Sequence, residues 1–221
     1  AVNATFVSGA SDNATIFGNL TITGTNRIEV TIDNATTNRA VISNVFDVTG
    51  EQMNITQLNL TRTGTANTND ILAVGLFNGS GTDTDYSGDE TLITWNYSAP
   101  RADGTYNFTG LGYNVTTSDS TLFIVINLTS SATAGNTIGF KLSPTANITV
   151  TSSVSTQAIT PTLVTTSSDN ATIVALSITG TNDTALTLTV GLRNVSMIRY
   201  NFSARGNTTN VTYINITRTG T

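Results

Sequence analysis

Cysteine and histidine are both absent from the chain. Their absence excludes disulfide staples, thiol chemistry, most zinc sites and the commonest nucleophile–base pairs. It does not exclude export, because a secreted β domain can do without a disulfide. Charge is scarce too. Only 10% of residues are charged, well below the usual quarter. Eight Arg and one Lys against 14 acids leave a net charge of −5, a balance that argues against nucleic-acid binding. No apolar run is long enough to span a bilayer as a helix. No signal peptide precedes Ala1, which is expected to be a mature N-terminus left by cleavage. Apolar spacing at three and four is missing as well, so helices are not expected.

What fills the chain is period-2 alternation. Ile16, Leu20 and Ile22 share one parity, and Ile28, Val30 and Ile32 read as a second half-buried strand. Phe46 and Val48 form the inward pair of a strand over Val41–Val48. In Met53–Leu60 the apolar parity flips, since Met53 and Ile55 oppose Leu58 and Leu60. A bulge near Thr56-Gln57 reconciles the two halves. Ile71–Phe77 and Thr121–Ile126 are continuous apolar runs, expected as central strands buried on both sides or in a sandwich core. Thr91–Tyr97 carries the only Trp, Tyr106–Val115 reads as a hairpin around Gly110 and Gly112, and Ile138–Leu142 and Ile148–Val154 follow. Asn78-Gly79 and the stretch 81–88 read as turns or loops. This pattern predicts an all-β, immunoglobulin-like or Greek-key antiparallel β-sandwich.

A repeat organises it. Residues 53–65 return as 209–221 with Asn54, Thr56, Asn59 and Thr61-Arg62-Thr63-Gly64-Thr65 unchanged. Upstream, Leu20-Thr-Ile-Thr-Gly-Thr-Asn26 matches Leu176-Ser-Ile-Thr-Gly-Thr-Asn182, and Ile42, Phe46 and Gly50 match Ile198, Phe202 and Gly206. After a slip of one residue, Ser11–Ile16 matches Ser168–Ile173, and Thr5-Phe6-Val7 matches Thr162-Leu163-Val164. The chain therefore divides into a first sandwich unit, 1–157, and a second homologous unit, 158–221, which is incomplete. Half a sandwich strands Val211, Ile214 and Ile216 unless more chain or another molecule covers them.

Asparagine is the other signal. Nineteen of 25 Asn open an Asn-x-Ser/Thr triplet, where chance placement gives about seven. They are Asn3, Asn13, Asn19, Asn34, Asn54, Asn59, Asn78, Asn96, Asn107, Asn114, Asn127, Asn147, Asn170, Asn182, Asn194, Asn201, Asn207, Asn210 and Asn215. Strand geometry explains part of this, because residues two apart share a face. Yet Asn is a poor strand residue, and N-linked glycan gives the excess a reason. Glycan also supplies solubility that charge does not, and it implies export to the cell exterior.

Sites for chemistry are few. Asp83, Asp85, Ser87, Asp89 and Glu90 place oxygen ligands at near-alternate positions, as at the start of a calcium loop. Position 12, where an EF-hand needs Glu, holds Thr94, so a non-EF calcium site and a plain solvated acidic loop both fit. Lys141 lies opposite Phe140 and Leu142 in parity, and a lone lysine is thin support for an isopeptide crosslink. Nothing supplies a general base to the many Ser and Thr, so an enzyme is not expected and no cofactor is required beyond glycan and the candidate calcium.

β units with Asn-x-Thr on most strands, no Cys and an abrupt partial repeat resemble archaeal extracellular surface proteins. They are most similar to glycosylated thread-type pilins, and more broadly to surface-layer and adhesin β-sandwich repeats. Residues 122–138, from Leu122-Phe-Ile-Val-Ile to Ile138, share that style. The resemblance implies subunits joined head-to-tail by a donated strand. The donor is expected in Ala1–Val7, with Ala1, Val2, Phe6 and Val7 inserting, and Ala158–Val164 is expected to do the same between units of one chain. The partners expected are thus identical subunits or further repeats, in a cell-surface filament or array. A surface adhesin or carbohydrate-binding module is the alternative. It needs an exposed aromatic platform, for which Trp95, Tyr97, Tyr106 and Tyr113 are the available cluster; the shared parity of Trp95 and Tyr97 is instead read as core packing.

Overall fold

The computed structural model describes residues 18–79, 85–116, 120–142, 144–182, 198–205 and 213–217. Among the described residues fourteen strands follow in order: β1 (Asn19–Asn26), β2 (Thr31–Asp33), β3 (Arg39–Thr49), β4 (Met53–Thr63), β5 (Ile71–Gly79), β6 (Thr91–Asn96), β7 (Thr105–Val115), β8 (Ser120–Leu128), β9 (Thr137–Lys141), β10 (Ile148–Ser152), β11 (Ala158–Ile159), β12 (Thr162–Val164), β13 (Ala171–Asn182) and β14 (Ile198–Arg205). The helical turns among the described residues are two short 3-10 pieces, and no helix there is long and apolar enough to cross a membrane.

One sheet runs β12-β1-β3-β8-β5-β6, and the other β11-β10-β4-β9-β13-β14, with β7 on the far edge of β4 and β2 beside β13. They stack as a β-sandwich. Leu20, Ile22, Phe46, Leu76 and Ile124 of the first sheet meet Ile55, Leu58, Leu60, Phe108 and Phe140 of the second in one buried core. Alternation puts these side chains on one face of each strand, and burial of each stabilises the fold by about 1.5–3 kcal/mol. Two pairings depart from the antiparallel expectation: β1 with β12 and β2 with β13 are parallel.

The parity flip in β4 is present. Its register against β7 shifts between Ile55 and Gln57, and against β10 between Thr149 and Val150. Most of the bulge falls on β7, where Tyr113 faces Ile55 and Thr109 faces Gln57, so residues 110–112 loop out. Gly110 and Gly112 take φ of 65° and 57° there, a conformation that costs glycine little. The expected hairpin over Tyr106–Val115 is therefore one strand with a bulge. Asn78-Gly79 is also not a turn. Both residues pair with Leu122 and Thr121 of β8, and Gly79 is bare because a Cβ would sit 2.6 Å from the Phe123 ring. Ile28–Ile32 is only a strand from Thr31 on; Ile28 and Ile32 are buried while Val30 is exposed.

Of the two expected settings for β5 and β8, burial on both faces is the one observed. Their second face carries a smaller apolar cluster outside the sandwich, made of Ala40, Phe77, Phe123 and Val125 with Tyr86 and Trp95 packed against it.

Candidate functional site: the edge strand and the outer sheet face

The start of the second sequence unit is built into the first sandwich. Ala158 and Ile159 pair antiparallel with Thr151 and Val150 of β10. Thr162-Leu163-Val164 then crosses to the other sheet and runs parallel to Thr21-Ile22-Thr23 of β1, with Leu163 packed on the core. Thr165, at φ 50°, turns the chain back. The Thr166 hydroxyl donates to the Leu142 carbonyl at 2.6 Å, and the Ser168 amide donates to that of Phe140 at 2.8 Å. Finally Ala171–Val174 of β13 is held by β9 and β2. The sequence repeat and the folded unit are thus out of phase, since residues 158–174 complete the sandwich of residues 18–157.

Gly24 makes this seating possible. A Cβ on it would lie 2.6 Å from the Thr165 carbonyl oxygen and 2.8 Å from the Thr166 Cα. Both are backbone atoms fixed by the pairings just described.

The second unit repeats this acceptor without an occupant among the described residues. β13 and β14 pair with the register of β1 and β3, residue for residue. Ile22 faces Phe46 and Gly24 faces Asn44, while 156 positions later Ile178 faces Phe202 and Gly180 faces Tyr200. Gly24 is buried, but Gly180 is exposed, and among the described residues only the Tyr200 ring comes near it, 3.2 Å from an added Cβ. The apolar face is bare as well. Phe46 is fully buried and its equivalent Phe202 is 40% exposed; Leu60 is fully buried and its equivalent Ile216 is 73% exposed. The expected donor residues Ala1, Val2, Phe6 and Val7 lie outside the described residues, as do Asn3, Asn13, Asn194, Asn207 and Asn210.

The acidic loop's described carboxylates bind partly within the loop and partly to Arg27. Asp85 pairs with Arg27 at 3.0 Å, and Glu90 accepts the Ser87 and Gly88 backbone N–H groups at 2.8 Å each. The Ser87 hydroxyl donates to Asp89, and Asp83 lies outside the described residues. No three acidic side chains gather to hold a metal ion among the described residues.

The four candidate aromatics separate. Tyr106 is buried in the core against Phe140, and Tyr113, partly buried, packs onto the core against Phe46. Burial pushes both phenols up to about 12, and the Tyr113 hydroxyl donates to Asn78 Oδ1 at 2.7 Å. Trp95 and Tyr97 are not in the sandwich core, contrary to expectation. They lie on the outer face of the first sheet, with ring centroids 6.1 Å apart and a 39° tilt, and Tyr97 is 67% exposed.

Known proteins offer little beyond this. No family model and no curated protein matches the chain. Among solved structures, the seventh ScaB type I cohesin from Pseudobacteroides cellulosolvens is similar at 9% identity with a TM-score of 0.30, over 80% of this chain and 98% of that one. The sixth cohesin of the Acetivibrio cellulolyticus scaffoldin B, solved with a Cel5 dockerin mutant, is similar at 11% identity with a TM-score of 0.23, over 70% and 97%. Likeness so slight says nothing about what this chain binds.

The sequon asparagines are unevenly placed. Asn19, Asn114, Asn170, Asn201 and Asn215 are exposed, while Asn34, Asn54, Asn78, Asn96, Asn107, Asn127 and Asn147 are half-buried. Asn59 is 8% exposed and faces Asn107 directly across β4 and β7. Asn182 ends β13 at its pairing with Ile198.

Proposed function

We propose that the chain is a non-enzymatic structural subunit of an extracellular, N-glycosylated filament or surface array, assembled head-to-tail by strand donation. The observation that carries this reading is the seating of residues 158–174 over Gly24, together with the bare, same-register acceptor at Gly180. Residues 1–17 repeat 158–174 in sequence, so they hold the side chains that this acceptor fits. Strand addition satisfies open backbone edges and places alternate side chains in pockets. A contact between two different surfaces grows a filament unless its rotation closes a ring. Covering the exposed face of β14 and Ile214–Ile216 needs more than one strand, namely the counterpart of β5 to β10, from a neighbour or from further repeats.

Phe6 is the counterpart of Leu163 and should carry the insertion. With Phe6→Asp, the full-length chain should stay folded with an unchanged melting temperature and show single particles by negative-stain electron microscopy, where the unaltered chain shows fibres. Fibres formed equally well by the variant would sink donation by this segment.

The same reading expects N-linked glycan on the exposed sequons and none on Asn59, whose amide has no room for a sugar beside Asn107. Glycopeptide mapping of the native protein checks this. Sugar at Asn114 and Asn170 with Asn59 bare is the expected map, and an occupied Asn59 contradicts it.

A further inference from the structure

The outer face of the first sheet holds a groove that neither the sandwich core nor strand donation uses. Its floor follows from register. Ala40, Val125, Gly75 and Trp95 stand opposite one another across β3, β8, β5 and β6. Ala40 and Gly75 are small, so the row is low there. Gly75 is bare because a Cβ there would come within 2.7 Å of Trp95 Cε3 and Cζ3, so the six-membered ring of the half-buried indole sits over the β5 backbone. Beside this row, Phe77 packs edge-on against both Trp95 and Tyr86, and Tyr86 against Phe123. Those edge-to-face contacts join the four rings into one aromatic wall. At the Ala40 end the groove opens into a cleft of about 570 Å³, lined by Arg27, Glu29, Asn38, Arg39 and Asp85 with Tyr86.

We infer that this groove binds an oligosaccharide, with pyranose rings stacked on Trp95 and Tyr97 and hydroxyl groups held at the Arg39–Glu29 end. A sugar ring has an apolar C–H face and an edge of hydroxyls. The first suits a flat aromatic surface that is already ordered, and the second suits planar side chains presenting donors and acceptors side by side. Arg27 is paired with Asp85 and Arg39 with Glu29. The cleft therefore offers hydrogen-bonding groups with little net charge, which fits a ligand whose hydroxyls both donate and accept. A polyanion finds no excess of positive charge there, and the chain as a whole carries −5. The two tilted rings follow one another along the strand edge, so a chain of sugars fits better than a single one.

Trp95 is the only tryptophan, so the full-length protein reports on its own groove by fluorescence. Titration with two sets of oligosaccharides is the test: glycans released from the native protein, and neutral oligosaccharides from unrelated polysaccharides. Binding should perturb Trp95 emission. Tyr97→Ala should weaken binding about tenfold with no change in melting temperature, because Tyr97 is exposed. Trp95→Ala, followed by calorimetry, should abolish it. Binding confined to the released glycans assigns the groove to contacts between copies, and binding to the unrelated set assigns it to attachment elsewhere. No binding to either set, or affinity that both variants retain, overturns the inference. The result does not depend on whether the chain polymerises.

Discussion

Gly24→Val will unseat the segment that closes the first sandwich, whereas Gly180→Val will leave the isolated chain as stable as before. The two glycines hold equivalent positions in the repeat, 156 residues apart, yet their surroundings differ. At Gly24 an added side chain meets the backbone of Thr165 and Thr166. Those residues cannot retreat without losing the β1–β12 pairing and the bonds between Thr166 and Leu142. Overpacking against fixed backbone costs about 3 kcal/mol. The loss should appear as a lower urea midpoint and as faster hydrogen exchange confined first to residues 162–168. At Gly180 the nearest obstacle is the edge of the Tyr200 ring, a side chain that can swing away. The unfolding midpoint of Gly180→Val should therefore match the unaltered chain, but its fibres should be lost, because a donated strand would meet the new side chain as Thr165 meets one at position 24. A Gly180→Val protein that still polymerises would show that the second acceptor is not used. Equal stability losses in both variants would show that Gly180 is already covered within one chain.

The sequence announced the strands and the repeat because both are local or self-referential signals. The β4 flip was legible because four apolar residues recorded which way each half of the strand faces. Its partner β7 was misread, since Gly110 and Gly112 supply the same positive φ to a bulge as to a turn, and only the long-range partner β4 decides between them. Asn78-Gly79 failed for the same reason, as β8 draws those residues into the sheet. Parity showed that Trp95 and Tyr97 share a face. It could not show which face the second sheet would cover, and the outer groove went unseen. Nor could the acidic loop reveal that Arg27, 58 residues away, takes Asp85. The phase of the folded unit was hidden as well. A repeat gives its period in sequence, but the place where one sandwich ends is set by which edge the linking strand completes.

Asp70→Asn should destabilise the first sandwich by about 2–3 kcal/mol, a fall of roughly 8 °C in melting temperature. Asp70 is a buried polar residue outside every surface discussed above, at the end of the 3-10 turn Thr68–Asp70. Its carboxylate accepts the Asn67 backbone N–H at 2.6 Å, the Thr133 backbone N–H at 2.8 Å and the Asn136 side-chain amide at 3.0 Å. It thereby ties the entry of β5 to the loop that leads into β9. An asparagine has the same shape but one acceptor oxygen in place of two, so at least one of these donors would face an NH2 group and lose its partner. Burial alone would raise the pKa of this carboxyl, but the hydrogen bonds from Asn67, Asn136 and Thr133 together outweigh it and hold the value below the usual 3.8. A depressed folded value means that the stabilisation is fully present above the unfolded pKa and drains away as pH falls through the folded one. The gap between the unaltered chain and Asp70→Asn should hence be widest at neutral pH and close below about pH 4. Denaturant melts of the two proteins across that range measure the gap directly. A difference that stays constant with pH would mean that the ionised form of Asp70 contributes nothing special and that shape alone matters at this junction.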